Sequence, residues 1–513
     1  MSAPLPDIDR KRLFLGSCIA LIATSVAFAT VGAIMLALKR EFILTNAEVG
    51  WIGGAALWGF AVSQVVFAPL CDTLGMRTLL RLSFVGHLAG TACMIGATGF
   101  GMLFAGALVI AMANGLVEAA CNPLVATLYP NNKAVKLNQF HVWFPGGVVL
   151  GGVGSFVLDQ VGLGAWELKL GLILIPTVVY GVLMLRASFP PTENVQAGVS
   201  TGQMFKATFA TPLMWLMLFC MALTASTELG PNRWVPAVLE SGLSQAAGGF
   251  VGIGVLVLAW INGLMALMRY NSDKIVGRFS PTLVLLASSV VATGGLLWLS
   301  YADTALMAFG SATVFALGVA YFWPTMLGFV NERMPRTGAL GLGLMGAVGM
   351  AVVGLVTAPQ MGGIADEYAH ERLPEARVVD VLQTVRATYP ALTADVPSGF
   401  TGDLERAITT AQKALAAHQQ SGALPQGTTA NALRAVVDSK AAVESTTNAT
   451  AQALPDRAAG LLGPADNYGG RMSFRYIVPF TALLILIFGG LYLRDRRRGG
   501  YEVESLAATS DAS

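Results

Sequence analysis

The sequence predicts an all-α membrane protein of twelve transmembrane helices. They form two six-helix pseudo-repeats, with an extracytoplasmic helical insertion before the last helix. Three observations predict this. Of 513 residues, 54% are hydrophobic and only 12% charged, about half the charged share of a soluble domain. Apolar runs long enough to cross a bilayer, about 20 residues, recur along the chain. Lysines and arginines gather at alternate ends of those runs. A soluble core-and-surface fold is excluded.

The runs lie at 13–38, 49–71, 78–98, 101–129, 137–159 and 167–187, then at 209–239, 246–269, 282–301, 304–330, 338–364 and 473–493. Arg10-Lys11-Arg12 before the first run resembles the start of a signal peptide. The run is too long for that, and many more follow, so it reads as the first membrane helix. One side collects Arg10, Lys11 and Arg12, then Arg77 and Arg81, Lys133 and Lys136, Arg186 and Lys206, Arg269, Lys274 and Arg278, Arg333 and Arg336, and Arg494, Arg496, Arg497 and Arg498. The other side has few basic residues, Lys39, Arg40 and Lys169 among them. The basic side is the cytoplasmic one, so both termini are expected there. The expected site is a cell membrane, plasma or bacterial inner, crossed many times. The basic tail reads as an anchor on the bilayer and not as a nucleic-acid site.

This divides the chain into an N-terminal bundle (1–187), a cytoplasmic linker (188–206), a C-terminal bundle (207–365 with 472–493), the insertion (366–471) and a cytoplasmic tail (494–513). In the insertion, Asp403–Ser421 and Thr429–Gln452 read as helices between Gly and Pro breaks. Its Ala-rich polar composition favours a small helical cap or partly disordered segment over a lid or partner-docking module.

The halves repeat weakly. Leu70-Cys-Asp-Thr-Leu-Gly-Met-Arg77 follows the second run, and Asn271-Ser-Asp-Lys-Ile-Val-Gly-Arg278 follows the eighth. The fourth run holds Gly115, Glu118 and Pro123, and the tenth holds Gly318, Tyr321 and Pro324. Repeats of this kind place a solute site between the halves near mid-depth.

Glu118 is the most informative residue, because a carboxylate inside a spanning run is costly and functional by default. Asn114, Glu118 and Asn122 stand at i, i+4 and i+8, on one helix face. Such a stripe faces the bundle interior, where a carboxyl can carry a proton and bond hydroxyls. The alternative is a protonated Glu that only ties two helices. His141, at the start of the fifth run, falls at the depth of Asn122, either as a second proton-handling group or as a helix–helix hydrogen bond. Trp143 reads as packing more than as a sugar-stacking platform. In the seventh run, Glu228, Asn232 and Arg233 flank Gly230-Pro231, whose interruption of helical bonding suggests a site or gate in the outer half. Trp260 and Asn262 with Tyr321 and Trp323 supply aromatics and amides suited to a sugar, and Gln360 is a weaker candidate. The glycines of the fifth and eleventh runs, such as Gly147, Gly151, Gly343 and Gly346, permit close helix approach.

Twelve runs, a 6+6 repeat and the two Asp-x-x-Gly-x-Arg-like loops resemble the major facilitator superfamily. Asp72, Gly75 and Arg77 match its loop signature, although Ala68 stands where the signature starts with Gly; Asp273, Gly277 and Arg278 match loosely. The resemblance implies gating roles for Asp72, Gly75, Arg77, Asp273 and Arg278. Gly115-Leu-Val-Glu-Ala-Ala-Cys-Asn-Pro123 and Leu137-Asn-Gln-Phe-His-Val-Trp-Phe-Pro-Gly-Gly147 resemble the fucose-permease-like sugar transporters. That likeness implies a proton-coupling role for the acid at Glu118, shared with a first-helix acid. Here the first run has Thr24, Ser25 and Thr30 but no acid.

The expected function is transport of a sugar or similar small polar solute by alternating access, as proton symport, in a monomer. Sodium stays open as the coupling ion. No enzyme, metal-site or cofactor signature is present, and no phosphate-cradling loop supports ATP-driven transport. The alternatives are an exporter of drugs or other small solutes, or a sensor or scaffold that works through 366–471. An organic anion is disfavoured, since the span interiors offer Arg233 against two Glu.

Overall fold

A computed structural model of the chain describes residues 8–243, 253–397, 399–504 and 506. The described residues form helices and turns without strands. Among the described residues, eleven helical stretches are long and apolar enough to cross a membrane, and Gly254–Tyr270 is apolar but shorter. The start of the eighth predicted run, 246–252, lies outside the described residues.

The helices follow the predicted runs closely. Arg10–Glu41, Phe100–Leu128, Pro212–Leu243 and Pro281–Leu299 are continuous. The seventh span differs from expectation, because its helix runs through both Pro231 and Pro236. The breaks fall elsewhere. The fifth span divides into Lys133–Phe140 and Trp143–Gln160, and the tenth into Ala305–Val319 and Phe322–Arg333. The eleventh carries a π-helical turn, Val353–Thr357, between Gly338–Val352 and Ala358–Arg372. Irregular backbone at membrane depth persists only where protein buries it or a cavity is lined by it.

The ends of the first and last spans mark one side, the terminal side. Arg12 there donates to the Leu183 carbonyl at 2.7 Å, and Arg333 pairs with Asp495 at 2.7 Å. Contacts between the halves cluster at mid-depth and toward this side. Asn138 Nδ2 donates to Thr325 Oγ1 at 3.2 Å, Ser272 Oγ to the Val135 carbonyl at 3.3 Å, and the Ala134 N–H to Glu332 Oε1 at 3.2 Å. Small residues let the backbones close: a Cβ on Gly328 would lie 2.9 Å from Ala134, and Gly343 and Gly346 abut Ala68 and Gln64 of the second span. Gly147 and Gly151 pack the fifth span onto Ser25 and Ala29 of the first.

The segment before the last span is not loosely held. Glu375–Thr388, Thr401–Ser421, Gln426–Asp438, Lys440–Glu444 and Ala449–Arg475 enclose a hydrophobic core of their own, including Val378, Leu382, Leu404, Leu433 and Leu454. The predicted helix 429–452 is broken near Ser445, and Ala449–Arg475 runs directly to the last span, Val478–Arg497. The partly disordered reading gives way to a packed helical module. Leu, Val and Ala recurring at helical spacing supply enough apolar surface to hold it.

Candidate functional site

A small cavity sits between the halves at mid-depth. Glu118, His141 and Phe144 line it from the first half, and Glu228, Leu229, Arg269, Trp323 and Met350 from the second. Its volume is ≈ 20 Å³, room for about one water and far below the several hundred Å³ of an open solute pocket. The walls are therefore closed around the site in this conformation.

Arg269 organises it. The guanidinium is buried, pairs with Glu228 Oε1 at 2.8 Å, and donates to the carbonyls of His141 at 3.1 Å and Ala320 at 2.6 Å. The two carbonyls need an outside donor for one shared reason. In a continuous helix each would accept from the N–H four residues on, and those residues are Pro145 and Pro324, which have none. One planar fork thus satisfies a broken helix from each half and a carboxylate besides. By sequence alone Arg269 reads as one of the basic residues of the cytoplasmic end. The signal that could have corrected it is the pair of prolines four residues after His141 and Ala320. Glu228, expected near Arg233 in an outer gate, is instead the partner of Arg269.

Glu118 Oε2 accepts from Asn122 Nδ2 at 3.3 Å, and His141 Nε2 donates to Asn122 Oδ1 at 3.1 Å. The expected Glu118–Asn122–His141 grouping is present. An amide links the two titratable groups, and an amide positions them without passing a proton. Asn114 turns to a different partner. Its Oδ1 meets His87 Nε2 at 2.8 Å, and His87 Nδ1 meets the Tyr180 hydroxyl at 3.1 Å, all within the first half. His87 had drawn no attention in the sequence.

The second-half candidates separate. Trp323 lines the cavity, and its indole N–H is buried without a hydrogen-bond partner, as is Glu228 Oε2. Asn262 Nδ2 donates to Asn232 Oδ1 at 3.3 Å, tying the seventh and eighth spans. The Tyr321 hydroxyl donates to the Met268 carbonyl at 3.0 Å. Trp260, 45% exposed, bonds Thr313 on the outer face, and Trp143 is 36% exposed. Neither indole is among the cavity residues; Phe144, adjacent to Trp143, is.

The loop residues sit at the terminal side. Asp72 Oδ1 accepts from Thr192 Oγ1 of the linker at 2.6 Å. Burial pushes its carboxyl above the usual range, while the hydrogen bond from Thr192 and the nearby Asn194 amide pull it back. Arg77 donates to the Leu185 carbonyl at 3.2 and 2.9 Å, capping the sixth span, and Gly75 takes φ +80° at the turn. Asp273 and Arg278 are exposed.

Comparison with known proteins places these features in a family. The family model of the Major Facilitator Superfamily matches residues 13–358. The chain is 25% identical over 375 residues to the 2-nitroimidazole transporter of Escherichia coli, covering 71% of this chain and 91% of that protein. It is 24% identical to the gentisate transporter of Corynebacterium glutamicum, covering 65% and 76%. A solved structure of the E. coli fucose:proton symporter, FucP, superposes with a TM-score of 0.55 at 17% identity, covering 69% of this chain and 92% of that one. The last likeness is one of fold.

Proposed function

The chain belongs to the Major Facilitator Superfamily, and from that premise we propose that it is a proton-coupled carrier of a sugar-sized polar solute. As a multi-pass membrane transporter of small solutes it needs a site reached from each side in turn. The cavity between the halves is that site.

The observation that carries the proposal is the division of charge in the cavity. Arg269 is committed to Glu228, the only ion pair recorded for either residue among the described residues. Glu118 makes no ion pair among the described residues; Asn122 donates to it, and Gln64, Trp323 and the Glu228-paired Arg269 stand near it. A buried carboxyl without a bound cation is stable when it holds a proton. Glu118 thus takes up a proton from one side and releases it when the cavity opens to the other. Asn122 orients it and His141 beside it. Phe144 and Trp323 offer ring faces to the apolar faces of a sugar. The free Trp323 N–H, the free Glu228 oxygen and Glu118 address its hydroxyls.

Opening on the terminal side breaks Asn138–Thr325, Ala134–Glu332, Ser272–Val135 and Arg269–His141 together. Each is a single hydrogen bond, about 0.5–1.5 kcal/mol for the two between neutral groups and about 1.5–3 kcal/mol for those of Arg269 and Glu332, so the closed side can release without unfolding a helix. Basic residues at the span ends favour this side as cytoplasmic.

A second reading, suggested by the relatives that carry gentisate and 2-nitroimidazole, is an aromatic or organic-anion solute. Arg269 gives it some support, but Glu228 already offsets that charge. A thermal-shift screen of the purified protein against neutral sugars and aromatic carboxylates at two pH values separates the readings. Saturable stabilisation by a sugar supports the first. Stabilisation by carboxylates alone supports the second.

A further inference from the structure

The junction between the helical module and the bundle gathers arginines that make no ion pair among the described residues. Arg372 ends Ala358–Arg372, Arg377 lies in the first turn of Glu375–Thr388, and Arg471 and Arg475 lie in the last turns of Ala449–Arg475. Arg372, Arg377 and Arg471, with Leu461, Pro464 and Tyr468, line an open groove of ≈ 370 Å³. The Arg372 guanidinium lies 4.1 Å over the Tyr468 ring, and that of Arg475 lies 4.2 Å over Tyr301.

The groove stands at the membrane boundary. Arg475 Nε donates to Ser300 Oγ at 3.1 Å and Arg471 Nη1 to the Ala302 carbonyl at 3.3 Å. Ser300 and Ala302 directly follow the ninth span, Pro281–Leu299. Trp298, Tyr301 and Tyr476 nearby are 42%, 56% and 44% exposed, the amphipathic rings typical of a headgroup layer.

Several acids of the surrounding helices are engaged elsewhere, while Glu367 and Glu371 stand by Tyr368 on the helix that Arg372 ends. Asp366 and Asp466 flank Arg434 at 3.7 and 3.3 Å, Asp380 pairs with Arg457, and Glu375 lies 3.3 Å from His418. Arg471 has one carboxylate, Asp303, near it against two further guanidinium groups, those of Arg475 and Arg372. Arg471 Nε is buried with no hydrogen-bond partner. One carboxylate beside three guanidinium groups leaves a net positive charge that an added anion would offset.

We propose that this groove binds the phosphate of an anionic phospholipid headgroup and thereby seats the helical module on the bilayer. Arginine forks match phosphate oxygens in paired hydrogen bonds, and basic pockets at membrane level take anionic headgroups. Tyr468 holds Arg372 in place, and the open face of the groove admits the glycerol backbone.

The test uses the full-length chain in phosphatidylcholine nanodiscs, titrated separately with short-chain phosphatidylglycerol, short-chain phosphatidylcholine and inorganic phosphate while thermal unfolding is followed. Phosphatidylglycerol is expected to raise the midpoint saturably and phosphatidylcholine to leave it unchanged. In R372Q/R377Q the phosphatidylglycerol response weakens about tenfold or more in apparent affinity, the scale set by one lost charge-assisted contact. In R457Q, whose arginine is engaged by Asp380, the response is kept. An equal response to both lipids, an unchanged response in R372Q/R377Q, an equal loss in R457Q, or inorganic phosphate acting as strongly as phosphatidylglycerol would each overturn the proposal. If R372Q/R377Q does not fold, R377Q alone carries the test, since Arg377 makes no ion pair among the described residues.

Discussion

Arg269 Nη1 donates to the His141 carbonyl at 3.1 Å, and that bond joins the two halves at the edge of the cavity. The same guanidinium holds the Ala320 carbonyl and the Glu228 carboxylate. Arg269→Gln leaves Glu228 buried and unpaired, which costs about 3–5 kcal/mol. The double variant Arg269→Gln/Glu228→Gln should recover much of that. Arg269→Lys should fall between, since a single ammonium does not reproduce the fork. Thermal or denaturant unfolding of the purified variants checks the order.

The two prolines give a second, independent prediction. Pro324→Ala restores an N–H that can bond the Ala320 carbonyl. In an Arg269→Gln background it should return about 0.5–1.5 kcal/mol, the worth of one hydrogen bond. In the wild-type background the same change should slow transport, because it regularises a helix that bends where the halves part. Unfolding midpoints and initial uptake rates measure the two effects.

Closure of the terminal side depends on glycine at 328. A Cβ there would lie 2.9 Å from the Cα and Cβ of Ala134, so Gly328→Leu should wedge the halves apart on that side. The chain end reinforces the same contact. The Tyr501 hydroxyl donates to Glu332 Oε2 at 3.0 Å, and the Glu504 N–H to the Glu332 carbonyl at 2.8 Å, while Glu332 Oε1 holds Ala134. Truncation after Gly499 should therefore loosen closure in the same direction but less. Labelling of a cysteine placed at Asn138 should speed up in both variants, more in Gly328→Leu.

Asp72 predicts a pH dependence with a definite sign. Burial raises its carboxyl in the folded state, against the hydrogen bond from Thr192 and the nearby Asn194 amide. A raised acid binds more protons folded than unfolded, so its contribution to stability falls as pH rises from the ordinary carboxylate range through the raised value. Asp72→Asn should be at least as stable as wild type at neutral pH. Its relative advantage should shrink as pH falls through the raised value toward the ordinary carboxylate range, below which wild-type Asp72 is neutral in both states. Unfolding midpoints of both proteins from pH 4 to 8 (about the span needed) give the comparison.

Hydropathy made most of the fold legible, because the length of an apolar run and the ends of a membrane helix answer to one constraint. It also made Glu118 and Asn122 legible, since a polar stripe within such a run has few explanations. Asn114 misled because helical spacing fixes a face only approximately, and the neighbouring His87 claims it within the first half. Arg269 was hidden because a basic residue near a span end reads as an anchor. Only the packing of broken helices from both halves turns it inward. The seventh span misled in the opposite sense, as neighbouring helices hold Pro231 and Pro236 inside a continuous helix. In the module, Val378, Val381, Leu382 and Val385 carry a helical period that its polar average obscured.

The most direct test of the central proposal is simultaneous measurement of solute and proton uptake by proteoliposomes containing wild-type protein or Glu118→Gln. With the solute identified by the stabilisation screen, wild type should take up protons with solute and accumulate it down a proton gradient. Glu118→Gln should keep solute exchange at equal concentrations, with proton uptake and accumulation both lost. Full gradient-driven accumulation in Glu118→Gln would contradict the assignment of proton coupling to this carboxyl.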